Sequence, residues 1–143
     1  MADISIVVDT NQIAVVAQRY HNVLDMAIRK SAYDIEANAK QRIQGGSKSG
    51  RLYKLRNPNR RHQASAPGES PATDLGTLVN SIQTVPGPAG SLHAEVRVSA
   101  LYGVYLEFGA PKAKIAARPY MTPAVEAVKP KLIAVVRHLA GLP

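Results

Sequence analysis

The segment Leu101-Tyr-Gly-Val-Tyr-Leu-Glu-Phe-Gly-Ala-Pro111, followed after a basic spacer by Ala117-Arg-Pro-Tyr-Met121, decides the fold of this chain. It contains three of the six tyrosines and the only phenylalanine of a protein that has no tryptophan. Each aromatic side chain buries about 150–250 Å² when it packs inside a protein. We therefore expect this segment to lie at the centre of the fold or of an interface.

The first part of the segment predicts a short helix of about two turns. Tyr102, Tyr105 and Leu106 follow helical spacing, and Gly109 followed by Pro111 is typical of a helix C-terminus. The aromatic residues Tyr102, Tyr105, Phe108 and Tyr120 are candidates for contact with a neighbouring subunit or another partner.

Glu107 and Arg118 are the charged residues of the segment with a candidate interface role. Arg118 precedes Pro119, which restricts its backbone to extended conformations, and its guanidinium group can bind a carboxylate with two hydrogen bonds. Two interpretations of Glu107 stay open. It forms an ion pair with Arg118 or with a basic residue of a neighbouring subunit, or it is an exposed acid at a helix end.

The C-terminal region predicts a second helix. Thr122 is placed to cap it and Pro123 to be its first residue, since hydroxyl side chains favour the cap position and proline the position after it. Apolar residues continue at helical spacing to Leu139, and we expect Pro130 to kink or break the helix because it lacks a backbone donor.

The N-terminal region predicts a strand over Asp3–Val8, a cap at Asp9, and a long helix. Apolar residues recur at intervals of three and four from Ile13 to Ile43 without a break, which indicates about 30 helical residues and a length of about 45 Å. One small core cannot cover such a helix from end to end. It must extend beyond its own domain or lie against neighbours, which favours an oligomer.

The segment from Gly45 to Thr73 carries most of the excess positive charge. The formal net charge of the chain is +8, and five of these charges come from six cations and one acid, Glu69, within this segment. We expect a long basic loop without a core, in which Leu52, Tyr53 and Leu55 form an anchor or a short strand. It contacts DNA phosphates, contacts an acidic protein, or only raises solubility. The six cations are Lys48, Arg51, Lys54, Arg56, Arg60 and Arg61.

The segment after the loop predicts a short helix capped by Asp74, then a β-hairpin with strands over residues 82–85 and 92–99. The second strand alternates apolar and polar residues, so one face of the hairpin is expected to be buried. The chain is therefore expected to be one α+β domain. A small antiparallel sheet packs against a long N-terminal helix and a C-terminal helix, with the long basic loop between them.

Composition excludes several classes of protein. The chain has no cysteine, which excludes disulfides and thiolate metal sites, and it has no apolar run of the roughly 20 residues that a membrane helix needs. Its four histidines show no ligand spacing, so no metal or cofactor is expected. A nuclease using His62, Glu69 and Asp74 has no motif to support it, and we expect a protein that is not an enzyme.

Four motifs together resemble one known family, the tail completion or head-tail joining proteins in the neck of long-tailed bacteriophages. They occur in the family's order and with similar spacing, and with the helical N-terminal region they cover nearly the whole chain. The motifs are Ala66-Pro-Gly-Glu-Ser-Pro-Ala72, Asp74-Leu-Gly-Thr-Leu-Val-Asn-Ser-Ile82, Tyr105-Leu-Glu-Phe-Gly109 and Ala117-Arg-Pro-Tyr-Met-Thr-Pro-Ala124.

The resemblance implies a structural virion protein. It implies a subunit of a ring, a homohexamer, that completes the tail and joins it to the head connector or stopper protein and the tail tube protein around a DNA channel. Such a protein resides in the host cytoplasm before assembly. The alternative hypothesis is a small nonspecific nucleic-acid-binding protein that uses the basic loop.

Overall fold

The computed structural model describes residues 10–55, 59–73 and 75–141 of the 143-residue chain, with side chains from residue 18 onward. The predicted N-terminal strand and the Asp9 cap lie outside these residues. The described elements, in order, are α1 (Thr10–Gly45), β1 (Leu52–Lys54), β2 (Arg61–Gln63), α2 (Thr77–Ser81), β3 (Ile82–Pro86), β4 (Ala94–Val98), α3 (Tyr102–Phe108), a 3-10 turn (Pro111–Ala113) and α4 (Met121–Leu139).

The strands form two antiparallel pairs, β1 with β2 and β3 with β4. The helices α1 and α4 pack against each other, and the β3–β4 pair packs against α1. This arrangement confirms the predicted α+β class. One cluster of buried side chains joins the elements, and its members are Ala32, Ile35, Ala39, Ile43, Leu78, Val79, Ile82, Val96, Tyr120, Met121, Ala124 and Val128.

Helix α1 is 36 residues long and extends beyond this core. Among the described side chains of this helix, the buried apolar ones lie between Leu24 and Ile43 and follow the predicted helical spacing. Between residues 18 and 23 every side chain except the half-buried Tyr20 is exposed. The prediction of an unbroken helix is wrong at Tyr20, where φ is −127° and ψ is 31°, so the helix kinks there.

No helix in the described part of the chain is long and apolar enough to cross a membrane.

The β3–β4 hairpin has the buried face that its sequence predicts. Ile82 pairs with Val98 and Pro86 with Ala94, which places the strands close to their predicted bounds. Val96 is buried, and Ala94 and Val98 pack against the core, whereas residues 93 and 97 are exposed. The period of two along β4 therefore decides which face meets α1.

Two carboxylates on α1 hold this hairpin in place. Asp25 accepts hydrogen bonds from Arg29 Nε (2.7 Å) and from the amide of Leu92 (3.1 Å). Glu36 accepts from the amide of Thr84 (2.7 Å), in the middle of β3. The tip and the middle of the hairpin are thus joined to α1 by carboxylates, which accept at both oxygens when they are ionised.

The bounds of the short helices differ from the sequence prediction. Helix α2 begins at Thr77, after Gly76 in the left-handed region (φ 75°), so Leu75 is not helical; Asp74 lies outside the described residues. Helix α4 begins at Met121, not at Pro123, and Thr122 does not cap it with its side chain. It also continues through Pro130, so of the predicted kink or break the break is wrong.

We predict that acid weakens the attachment of the hairpin to α1. The Arg29 hydrogen bond outweighs partial burial and, with the Leu92 amide, lowers the pKa of Asp25. Burial opposes ionisation of Glu36, but Lys40 and Thr84 lower its pKa overall. Because both pKa values are lower in the folded than in the unfolded chain, this stabilisation is complete above about pH 5 and is lost as the pH falls through the folded values.

Thermal unfolding of Asp25→Asn between neutral pH and pH 3 tests this prediction. Asparagine keeps the shape of the side chain but does not titrate. Asp25→Asn should therefore have a lower Tm than the wild-type protein at neutral pH, and the Tm difference between the two should narrow in acid. Asp34→Asn is the control, since Asp34 pairs with the exposed Lys30 on the same helix and should change the Tm little. A Tm difference for Asp25→Asn that does not vary with pH would contradict the assignment.

Candidate assembly site around helix α3

Helix α3 exposes its aromatic residues and buries its acid. Glu107 is 5% exposed and Gly103, one turn earlier, is also buried. The opposite side consists of Leu101, Tyr102, Tyr105 and Phe108, which are 80, 44, 55 and 65% exposed. We call these four residues the aromatic face. The prediction that these residues lie at the centre of the fold is therefore wrong. The alternative prediction, that they lie at the centre of an interface, is not tested by a single chain.

Glu107 caps helix α4 from outside that helix. Its Oε2 accepts the amides of Tyr120 (2.8 Å) and Met121 (2.9 Å), and its Oε1 accepts the amide of Thr122 (2.8 Å). The first four amides of a helix, counted from the residue before its first turn, have no partner within the helix. In α4 this count starts at Tyr120, and the fourth residue is Pro123, which has no N–H. One carboxylate thus satisfies every free donor at this helix end, where negative charge is also favoured.

This geometry contradicts the predicted ion pair with Arg118 and the predicted exposed acid at a helix end. The side chain does not form an ion pair with Arg118, and it is not an exposed acid. Arg118 instead donates from Nε to the carbonyl of Ser65 (3.2 Å) and from Nη1 to that of Ala116 (3.5 Å), while its amide donates to the carbonyl of Leu106 (2.6 Å). These contacts hold the half-buried Arg118 within the subunit, and its interface role stays a prediction.

Tyr120 is part of the core and is only 1% exposed. Burial raises the pKa of Tyr120, and the charge of Glu107 adds to the effect. The ring fits because Gly103 has no side chain, since a Cβ there would lie 2.7 Å from Tyr120 Oη and 2.9 Å from Val98 Cγ1. Buried inside the subunit, Tyr120 and Glu107 are not available for direct contact with a partner, contrary to their predicted interface role.

The aromatic face continues into a shallow groove. Tyr102 and Leu106 line this groove together with residues 72–73 and 75–78. Leu75, which follows the predicted Asp74 cap, lines the groove and is 76% exposed. Sequence reasoning missed Leu75 and Leu101, because their exposure depends on where α2 and α3 begin.

The segment after α1 forms a hairpin instead of the expected loop. Strands β1 and β2 pair in the register Leu52 with Gln63, Tyr53 with His62 and Lys54 with Arg61. Its strand residues are exposed except for the half-buried His62. We call the described residues 49–55 and 59–66 the basic arm. The short strand proposed for Leu52 and Tyr53 is confirmed, although Leu55 follows it and Arg56 lies outside the described residues.

Glu69 holds the base of the basic arm together. Its carboxylate accepts from Ser49 Oγ (2.6 Å), from the amide of Ser49 (3.0 Å) and from the amide of Ala66 (2.7 Å). The Ser49 hydroxyl and these amides hold the pKa of Glu69 below its usual range. The one acid of the basic segment is therefore occupied at the base of the arm, away from Lys54 and Arg61 on its strands.

No group of three or more potential metal ligands occurs among the described residues. His21 contacts the carbonyl of Gly90 (2.7 Å), and His93 contacts Glu95 (2.9 Å) on the exposed face of β4. The histidine–carboxylate contact of His93 was not expected from the sequence. It is a surface pair between residues two apart in the chain.

Comparisons with protein-family models, with curated proteins and with solved structures gave no significant match for this chain.

We predict that Glu107→Ala lowers the free energy of unfolding by about 3 kcal/mol, because it leaves buried amides at the start of α4 without an acceptor. Glu107→Gln keeps one acceptor oxygen and should cost about 1–2 kcal/mol. Urea unfolding measures both. The matched control is Glu126→Ala, an exposed acid on α4, which should change stability by less than about 0.5 kcal/mol. Equal losses for Glu107→Ala and Glu126→Ala would contradict the capping role.

Proposed function

We propose that this chain is a structural subunit of the neck of a tailed bacteriophage. In this proposal it assembles as a homohexameric ring that completes the tail and joins it to the head connector or stopper protein around the DNA channel. The four motifs over residues 66–72, 74–82, 105–109 and 117–124 resemble that family and support the proposal. The role is structural rather than enzymatic, and the protein is a virion component made in the host cytoplasm.

The observation that carries the proposal is the aromatic face of α3. Three large apolar side chains of α3 and that of Leu101, directly before the helix, are exposed, and clustered exposed apolar residues mark sites of protein–protein contact. Tyrosine and phenylalanine are enriched at the buried centres of protein interfaces. The helix that presents them is fixed by the buried Glu107, so little ordering is required on binding.

Helix α1 supplies a second exposed apolar surface. Val23, Met26 and Tyr33 are 49, 70 and 52% exposed along this helix. A ring requires head-to-tail contacts, in which one surface of each subunit meets a different surface of the next. Contact between the aromatic face of one subunit and α1 of its neighbour satisfies this requirement and covers apolar side chains that the core of the subunit leaves exposed.

We predict that Tyr105→Ser and Phe108→Ser each weaken subunit association about 30-fold, the effect of losing about 2 kcal/mol at an interface aromatic residue. Sedimentation velocity over a concentration series measures the association. Ile133→Ser is the control, since Ile133 is an exposed apolar residue on α4 and not on α3. If both α3 variants associate as tightly as Ile133→Ser, the aromatic face is not the subunit interface.

Electron microscopy with tail tubes that lack this protein tests the neck role itself. The wild-type protein should form rings or a cap at one tube end, and Phe108→Ser should not. A wild-type protein that stays monomeric and ignores the tubes would contradict the proposal.

The second candidate function is nonspecific nucleic-acid binding by a small protein that acts alone. The exposure of the basic arm favours it. The two candidates differ in assembly, because only the neck subunit requires the aromatic face.

A further inference from the structure

The basic arm carries cations on both faces of a narrow two-stranded ribbon. Residues directly opposite each other in an antiparallel pair have side chains on the same face. Lys54 and Arg61 are such a pair and share one face. Tyr53 and His62 share the other face with Arg51, whose guanidinium carbon lies 5.5 Å from the centre of the Tyr53 ring.

The pairing of Lys54 with Arg61 is unfavourable for the arm alone, because like charges directly opposite each other destabilise a β-ladder. Within the described residues no carboxylate pairs with either side chain, and Glu69 is occupied at the base of the arm. An isolated two-stranded hairpin is itself only marginally stable. One lysine is enough to protect the exposed strand edges of such a hairpin from aggregation. Protection of the edges therefore does not explain why two cations lie directly opposite each other.

We propose that the basic arm binds duplex DNA nonspecifically, through the phosphate backbone. The major groove of DNA is wide enough for a two-stranded β-ribbon and has a phosphate backbone on each side. Cations on both faces of the arm match this arrangement, whereas the surface of an acidic protein would meet only one face. Arg51, Lys54 and Arg61 contact phosphates, and the hydroxyl of the exposed Tyr53 is a further phosphate donor.

The binding is a property of one subunit and does not rest on the proposed ring. Nonspecific binding through phosphates leaves a characteristic dependence on salt, because each neutralised phosphate releases counterions. The arm is attached to the subunit through Glu69 and through the hydrogen bond from Arg118 to Ser65. Its strand side chains lie outside the core, so they can be changed without altering the fold.

Fluorescence anisotropy with a short labelled DNA duplex of mixed sequence, over a series of NaCl concentrations, tests the proposal with the full-length protein. The double variant Lys54→Gln/Arg61→Gln should reduce the slope of log Kobs against log [NaCl] by about 1.8, which is about 0.9 for each phosphate that is no longer neutralised. It should also weaken binding at least about tenfold at low salt. The charge-conserving variant Lys54→Arg/Arg61→Lys should retain the wild-type slope.

The matched control is Lys129→Gln/Lys131→Gln, which removes the same charge from exposed positions on α4. It should leave the slope within about 0.3 of wild type, since these lysines do not contact the DNA in this proposal. If the arm variant and the control lose the same amount of affinity and of salt slope, binding depends on net charge alone and the proposal is overturned. Displacement of the duplex by polyglutamate as effectively as by unlabelled duplex would point to an acidic protein partner and would also overturn it.

Discussion

The three hydrogen bonds between Glu107 and the start of α4 are the constraint on which the rest of the structure depends. Helix α4 supplies one wall of the core, and the residues at its start, Tyr120 and Met121, are among the most completely buried side chains. Buried amides at a helix start require an acceptor, and α4 has no capping side chain of its own. The acceptor comes from α3, which must therefore point Glu107 inward.

Pointing Glu107 inward also decides what α3 exposes. Residues four apart share a helix face, so Gly103 turns inward with Glu107 and closes against Tyr120. The rings of Tyr105 and Phe108 are left on the outside by the same rotation. The proposed assembly surface is thus a consequence of how α4 is capped. In α3 the acid Glu107 is buried, although acids ordinarily lie at the surface, and the aromatic rings are exposed, although such rings ordinarily lie in the core.

The connection from α3 to α4 also supports the basic arm. Gly68 donates its amide to the carbonyl of Ala117 (3.0 Å), and Arg118 reaches the carbonyl of Ser65. Gly109 has a φ of 77°, and a Cβ there would lie 3.0 Å from the carbonyl oxygen of Ile115, so only glycine fits this turn without strain. The residues of the proposed subunit contacts and of the proposed DNA contacts are therefore joined by hydrogen bonds to the same connecting segment.

The periodic spacing of apolar residues in the sequence predicts the buried faces of the long helix and of the second hairpin strand. The spacing from Leu24 to Ile43 and the alternation along β4 each identify a buried face correctly. The Glu107 cap joins groups 13 to 15 residues apart through backbone amides, which no side-chain pattern marks. The strands of the basic arm are three residues long and too short to show alternation. The number of aromatic residues is a poor guide to the core, because aliphatic side chains, alanine, Met121 and Tyr120 fill it.

Hydrogen exchange at the amides of Tyr120, Met121 and Thr122, followed by NMR, tests the central claim most directly. These positions begin a helix, where amides ordinarily exchange fast because they lack partners within the helix. If Glu107 binds all three, they should exchange as slowly as amides in the interior of α4, and Glu107→Gln should accelerate them selectively. Fast exchange of these three amides in the wild-type protein, beside a slowly exchanging α4 interior, would contradict the account.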